Sequence, residues 1–539
     1  MSAASAQTNL CIGDFIPAKP LGLYAIVNID SVKQPLLPDL SALYASLLSN
    51  PAVSGLSLVV QWSTLNDTEG AVPDWTYLDE AFDQVSIWNG NNPSAPAKTI
   101  QLTVTPGFGT PAWALDQILP SCDALFQAPQ GDPGGPCGQA DFLDSEGMAK
   151  PALLPLPLPW NSTYQGLWQT FLKALATKYV GNSAFASIAV AGPTATSAEM
   201  ILPTTVIPAT FEAPFGGLNQ TGMWSTLLAS QYSDGANYSN PAYQNSDLAI
   251  IDAWNTATEM YENVFACTTL IVTSGDGLPN FPSPHPKYHI PTGFTADCLA
   301  KRDMDCAAET TIESDFVTSS ASGNFMATQT SGLEASRPPV DMGMAGVELL
   351  TANTSYSPRI LGGAGFNTSV ANDPVKEGCF SPFPPKPPNL PMGCTSVPTC
   401  SSNPAYPNDP EWCIPVACIP ADCITGPLDG ATIFGEVPTT SLISPEQALY
   451  NVLQTYFKGT PESSAYGGTN GTAPLYFLQI YYADVCYAAT APPVSIKEGR
   501  HSVTTSAQDL LVMAAKSLSA MTGAPPPAAT APASCPSGF

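Results

Sequence analysis

Short apolar runs that read as buried strands alternate with helical patterns along this chain, and that alternation is the strongest constraint on its fold. The runs are Gly22–Asp30, Gly55–Trp62, Lys98–Thr105, Phe185–Val190, Thr268–Thr273, Asn324–Thr330, Ala431–Phe434 and Leu475–Tyr482. Between them apolar residues recur at helical spacing, as in Leu78, Phe82 and Val85, or Tyr164, Trp168, Phe171, Leu175 and Tyr179. Leu248, Ile251, Trp254 and Tyr261 mark a further helix. Ser444-Pro445-Glu446-Gln447 and Ser506-Ala507-Gln508-Asp509 have the form of helix starts, with a capping residue and a polar side chain three positions on. Strands alternating with helices argue for a parallel sheet, because a parallel pair needs a long crossover. Eight such units predict an α/β fold, a single (β/α)8 TIM barrel.

The barrel is expected to occupy residues 1–521, with long insertions at 115–160, 201–245 and 372–429, followed by a Pro/Ala-rich tail at 522–539. The first insertion holds Cys122 and Cys137, the second is a long polar loop with several aromatics, and the third carries six cysteines among many prolines. The chain has 14 cysteines and sequons at Asn66, Asn161, Asn219, Asn237, Asn353, Asn367 and Asn470. Both features favour an oxidising, exported setting, secreted or at the cell surface. The cysteines from Cys379 to Cys423 lack the two-residue spacing of zinc knuckles, so disulfides stapling a lid are expected there. Met1 is followed by Ser-Ala-Ala-Ser-Ala-Gln, with no basic start and no apolar run. It reads as a mature N-terminus from which a targeting segment was removed, and no stretch is long and apolar enough for a membrane span.

Charge narrows the partners. With 17 Lys+Arg against 44 Asp+Glu, the net charge is −27, so nucleic acid and anionic membrane surfaces are disfavoured. A neutral carbohydrate polymer or oligosaccharide is not repelled. No phosphate loop, dinucleotide fingerprint or serine-hydrolase elbow occurs, and no cofactor is expected. His285 and His289 lie four apart, but Pro284 and Pro286 spoil a helical pair, so no metal site is expected.

Two glutamates stand at predicted strand ends. Glu199 follows the fourth run and Glu436 follows the seventh, so both point to the mouth where barrel enzymes gather their catalytic groups. Glu199 suits a general acid/base and Glu436 a nucleophile, the pair needed to cleave a glycosidic bond. Competing carboxylates are Glu334, after the sixth run, and Glu348, which is expected on a helix. Trp62, Trp113, Trp160 and Trp224 fall in or near strand-end loops, where an indole could stack on a sugar or simply pack. Trp62, Trp113 and Trp224, with Asn28, Tyr481 and Tyr482 at the ends of the first and last strands, are the candidate substrate contacts. Trp168 and Trp254 lie on helical stripes and are expected in the core.

With these motifs the chain resembles the large clan of retaining glycoside hydrolases built on (β/α)8 barrels, which includes cellulases, mannanases and β-galactosidases. The resemblance extends to Gln61-Trp62-Ser63-Thr64-Leu65-Asn66 with Asp74-Trp75-Thr76-Tyr77-Leu78-Asp79, and to Gly107-Phe108-Gly109-Thr110-Pro111-Ala112-Trp113. It implies an acid/base glutamate after strand four and a nucleophile after strand seven. The chain departs from the clan in three places. Ala198 stands where Asn usually precedes the acid/base, Tyr481 or Tyr482 replaces a strand-eight Trp, and strand two lacks a clear arginine. The expected function is an exported retaining β-glycosidase. A carbohydrate-binding or structural surface protein on the same scaffold is the competing class.

Overall fold

The computed structural model describes residues 18–32, 37–126, 137–144, 152–231, 248–265, 268–279, 326–330, 344–349, 475–498, 501–526 and 532–536. It also describes the helical positions 308, 309, 311, 312, 315, 316, 446, 449, 450 and 453. The strands in chain order are β1 Gly22–Asn28, β2 Val53–Gln61, β3 Thr99–Thr105, β4 Gln139–Asp144, β5 Ala152–Pro157, β6 Phe185–Ala189 and β7 Glu199–Ile201. They continue with β8 Thr269–Gly277, β9 Met326–Thr330, β10 Met344–Leu349, β11 Leu475–Tyr481, β12 Val494–Glu498 and β13 His501–Thr505. The main helices are α1 Leu37–Ser49, α2 Thr76–Asn91, α3 Ser162–Tyr179, α4 Gln220–Gln231, α5 Leu248–Val264, α6 Tyr482–Thr490 and α7 Ala507–Thr522.

Parallel pairing runs β6–β3–β2–β1–β11–β10–β9–β8, and a further β6–β8 pairing joins the two ends. The sheet therefore closes on itself, and the fold is an α/β barrel. Outward-facing Leu23, Ala25 and Val27 of β1 join Leu56, Leu58 and Val60 of β2 in the large core beneath the helices. Tyr24, Ile271 and Phe477 form a separate cluster inside the ring. The Tyr24 ring crosses β2 at Gly55, where a Cβ would lie 2.7 Å from the ring and 2.0 Å from the Thr99 carbonyl oxygen. Only glycine admits that approach. It lets the Tyr24 hydroxyl reach Thr99 Oγ1 at 2.6 Å, while burial pushes the phenol up to about 12.

Helix boundaries follow local chemistry. Asn161 Oδ1 accepts from Tyr164 N at the start of α3 (3.0 Å), and the apolar stripe read from the sequence is the face α3 buries. Ser506 and Asp509 form a reciprocal capping box at α7, satisfying two backbone donors that the first turn leaves orphaned.

The seventh ring strand corrects the sequence reading. Ala431–Phe434 lies outside the described residues, and β10, Met344–Leu349, takes the place between β9 and β11. Glu348, expected on a helix, is therefore on a strand. Ala345, Val347 and Leu349 alternate with Gly346 and Glu348, which is the period of a strand with only one apolar face. The second insertion also differs from the long loop expected, because it contains α4. The tail is tied back onto the barrel. Ser46 Oγ donates to the Ser534 carbonyl (2.8 Å), Ala533 N donates to Ser49 Oγ (3.1 Å), and Cys535 is disulfide-bonded to Cys486 of α6. Such a bridge stabilises chiefly by restricting the unfolded chain.

Lys98, just before β3, is buried. Its ammonium donates to the carbonyls of Asn50 (3.0 Å) and Val53 (2.6 Å) and lies 4.4 Å from the Trp88 ring centroid. Desolvation lowers its pKa from 10.5 to about 7. Between those values the unfolded chain holds a proton that the folded chain has released, so folding stability rises with pH across that window. The whole rise is worth a few kcal/mol at most, because a tenfold difference in proton affinity between the two states corresponds to about 1.4 kcal/mol. Buried tyrosines with raised pKa reverse the trend once the unfolded phenols ionise near pH 10. Denaturant unfolding from pH 6 to 9 is expected to show the rise in the parent and a flat profile in Lys98→Met. An unchanged slope in the variant would assign the effect elsewhere.

Candidate active site

The fourth place in the ring is built from two pieces of chain. β6 pairs with the first half of β8, through Ser187↔Thr269 and Ala189↔Ile271. β7 then pairs with its second half, through Glu199↔Thr273 and Ile201↔Gly277. Residues 190–198 bulge out between them and return. Val190 N donates to the Ile271 carbonyl (2.8 Å), and Ala195 N to that of Ile201 (3.0 Å). Thr194 Oγ1 donates to the Ser197 carbonyl (2.6 Å), and Ser197 Oγ accepts from Glu199 N (3.1 Å). Glu199 is thus a half-buried residue resuming the line of strand four at its C-terminal end.

This excursion is locked to the loop after β3. Phe108 N donates to the Ala195 carbonyl (2.8 Å). Gly107 has φ +54°, and a Cβ there would sit 2.1 Å from that same oxygen. Glycine is required on both counts. The backbone around Glu199 is therefore set by two loops, each constrained by the other.

Glu348 lies in β10, in register with Gln479 of β11. Gln479 is buried, and its Nε2 donates to Gln101 Oε1 of β3 at 2.6 Å. Those two strands are separated by β1 and β2, so the bond runs through the barrel interior. Directly paired residues of parallel strands share a face. Position 348 is accordingly on the inner face of the ring. Two strands, β9 and β8, stand between β10 and the β6/β7 line, which sets the two glutamate positions across the barrel from one another.

The first two insertions pack against each other through their described residues. The β4–β5 hairpin is stapled at its base by the Cys122–Cys137 disulfide. It packs on α4 through Phe142, stacked on Trp224 at 4.5 Å between ring centroids. Leu143 N donates to Gln220 Oε1 (2.7 Å). Burial, and then the neighbouring Asp123 carboxylate, raise the Asp141 pKa. At the first strand, Asp30 Oδ2 accepts from Gln61 N (2.7 Å) and Oδ1 accepts from Thr64 Oγ1. Asn28 Oδ1 in turn accepts from Asp30 N (3.0 Å).

The aromatic expectations divide. Trp62 is fully buried among Trp113, Trp168 and Phe171, and Trp224 is fully buried against Phe142 and Trp160. Neither has an open face for a sugar, a correction to the reading of both as substrate contacts. Both occur where insertion or helix folds over a strand-end loop, which buries what a bare loop would expose. Trp168 and Trp254 are core residues, as their helical spacing implied. Trp113 is half-buried, with Nε1 donating to the Asn66 carbonyl (2.9 Å). Tyr481 and Tyr482 are half-buried where β11 passes into α6, and burial raises the Tyr482 pKa. Asn28 closes β1 at the same end. Glu436, Glu334, His285, His289 and the cysteines from Cys379 to Cys423 lie outside the described residues. Among the described residues no three metal-binding side chains cluster, and no helix is long and apolar enough to cross a membrane.

No family model matches the chain, and no curated protein matches it. Among solved structures it is similar to the catalytic domain of a beta-amylase from Paenibacillus polymyxa, at 11% identity over 62% of this chain and 87% of that one, with a TM-score of 0.29. It is also similar to endo-glycoceramidase II from a Rhodococcus species (13%, 62% and 74%, TM-score 0.27). A morphinone reductase stands at the same level (10%, 63% and 79%, TM-score 0.29). At such scores the barrel is established by its own strand pairings.

Proposed function

We propose that this chain is an exported retaining glycoside hydrolase on a (β/α)8 barrel with disulfide-stapled insertions, cleaving β-linked polysaccharide or oligosaccharide. The observation that carries this reading is the placement of two glutamates at ring places four and seven of one closed barrel. Glu199 is assigned as acid/base and Glu348 as nucleophile, replacing Glu436 because β10 holds the seventh place. Glu348 attacks the anomeric carbon and forms a glycosyl ester while Glu199 protonates the departing oxygen. Glu199 then takes a proton from water, which displaces the glutamate and leaves the anomeric configuration retained. Trp113, Tyr481, Tyr482 and Asn28 are the substrate contacts kept in this assignment. The two disulfides among the described residues agree with an oxidising compartment.

The test is a panel of β-linked polysaccharides and oligosaccharides incubated with the purified full chain, followed by proton NMR of the first anomer released. The β anomer is expected. The α anomer would mean inversion, and no release from any member would favour a carbohydrate-binding or structural protein.

A further inference from the structure

The barrel interior carries a row of polar side chains where bulky aliphatic residues normally fill such a ring. Ser57 of β2, Gln101 of β3, Ser187 of β6 and Thr269 of β8 are consecutive cross-strand partners. Gln101 bonds across the interior to Gln479, so the row shares that inner face. All four are nearly or completely buried. Ser57 Oγ, Gln101 Nε2, Ser187 Oγ and Thr269 Oγ1 have no hydrogen-bond partner among the described residues.

A buried polar atom left without a partner costs its full desolvation penalty. Four in one dry layer would consume most of the stability margin of an ordinary folded domain. Serines at two of the positions also supply less volume than the branched side chains that pack such rings. A group that satisfies this row must accept from the Gln101 amide and exchange hydrogen bonds with hydroxyls. A metal cation cannot accept from the amide, and an anion would be buried without a countercharge. Water does both and is small enough.

We propose that the row Ser57–Gln101–Ser187–Thr269 is an internal water-binding site within the barrel, beneath the mouth that holds Glu199. About two waters satisfy the four groups, since a buried water makes about three hydrogen bonds. The site stands independently of the catalytic assignment.

A crystal structure of the full chain at about 1.5 Å is expected to show water density within hydrogen-bond distance of these four side chains. The combined variant Ser57→Ala, Ser187→Ala, Thr269→Val is expected to melt roughly 5 °C below the parent, because it removes the waters' anchors. In a dry layer the same substitutions would delete unpaired polar groups and raise the melting temperature. Absence of water density around the row in the parent, or a variant melting at or above the parent, would overturn the proposal. Should the combined variant fail to fold, Thr269→Val alone and the parent's density decide in the same way.

Discussion

Glu348→Gln is expected to abolish turnover, with a loss on the order of 10⁴-fold or more in kcat, while folding and carbohydrate binding persist. The amide is nearly isosteric with the carboxylate, so β10 and its register with β11 are undisturbed. It cannot form a glycosyl ester and brings no negative charge to the developing oxocarbenium centre. The matching variant Glu436→Gln is expected to retain activity. That contrast separates the ring place observed for β10 from the seventh strand read in the sequence. A fully active Glu348→Gln beside a dead Glu436→Gln would return the nucleophile to Glu436.

Glu199→Ala is expected to fail in a substrate-dependent way. A retaining enzyme uses this carboxyl first to protonate the departing oxygen and then to activate water. Natural glycans need both steps, so their hydrolysis is expected to fall roughly 10²–10⁴-fold. An activated aryl glycoside leaves without a proton and is expected to give a first-turnover burst. Azide, which needs no base, then intercepts the glycosyl ester and yields a glycosyl azide of retained configuration. Equal loss on both substrates without azide rescue would make Glu199 a structural residue of the β6–β7 excursion.

Much of this architecture was legible because a strand buried on both faces writes itself as a near-continuous apolar run. Leu-Tyr-Ala-Ile-Val in β1 and Leu-Tyr-Phe-Leu-Gln-Ile in β11 are such runs, and the capping box at Ser506 was readable for equally local reasons. β10 was missed because its inner positions are Gly346 and Glu348, the latter a charged group that a buried run would exclude. The alternation of Ala345, Val347 and Leu349 was the available signal. Ala-Thr-Ile-Phe at 431–434 reads as an apolar run without a charged residue. Glu199 was placed at a strand end from sequence, but the nine-residue bulge that delivers it depends on Gly107 and Ala195, more than eighty residues apart. Trp62 and Trp224 misled for the same kind of reason. Whether an indole faces solvent is decided by which distant segment folds over it, and periodicity within one segment does not encode that.

In the proposed reaction a glutamate at ring place seven becomes covalently attached to the sugar. The most direct measurement uses a 2-deoxy-2-fluoro β-glycoside of whichever sugar the parent protein releases, carrying an activated leaving group. Intact mass is expected to rise by one fluoroglycosyl unit, and peptide mapping is expected to place the label on Glu348. A label on Glu436 or any other residue, or continued turnover with no trapped species, would contradict the account.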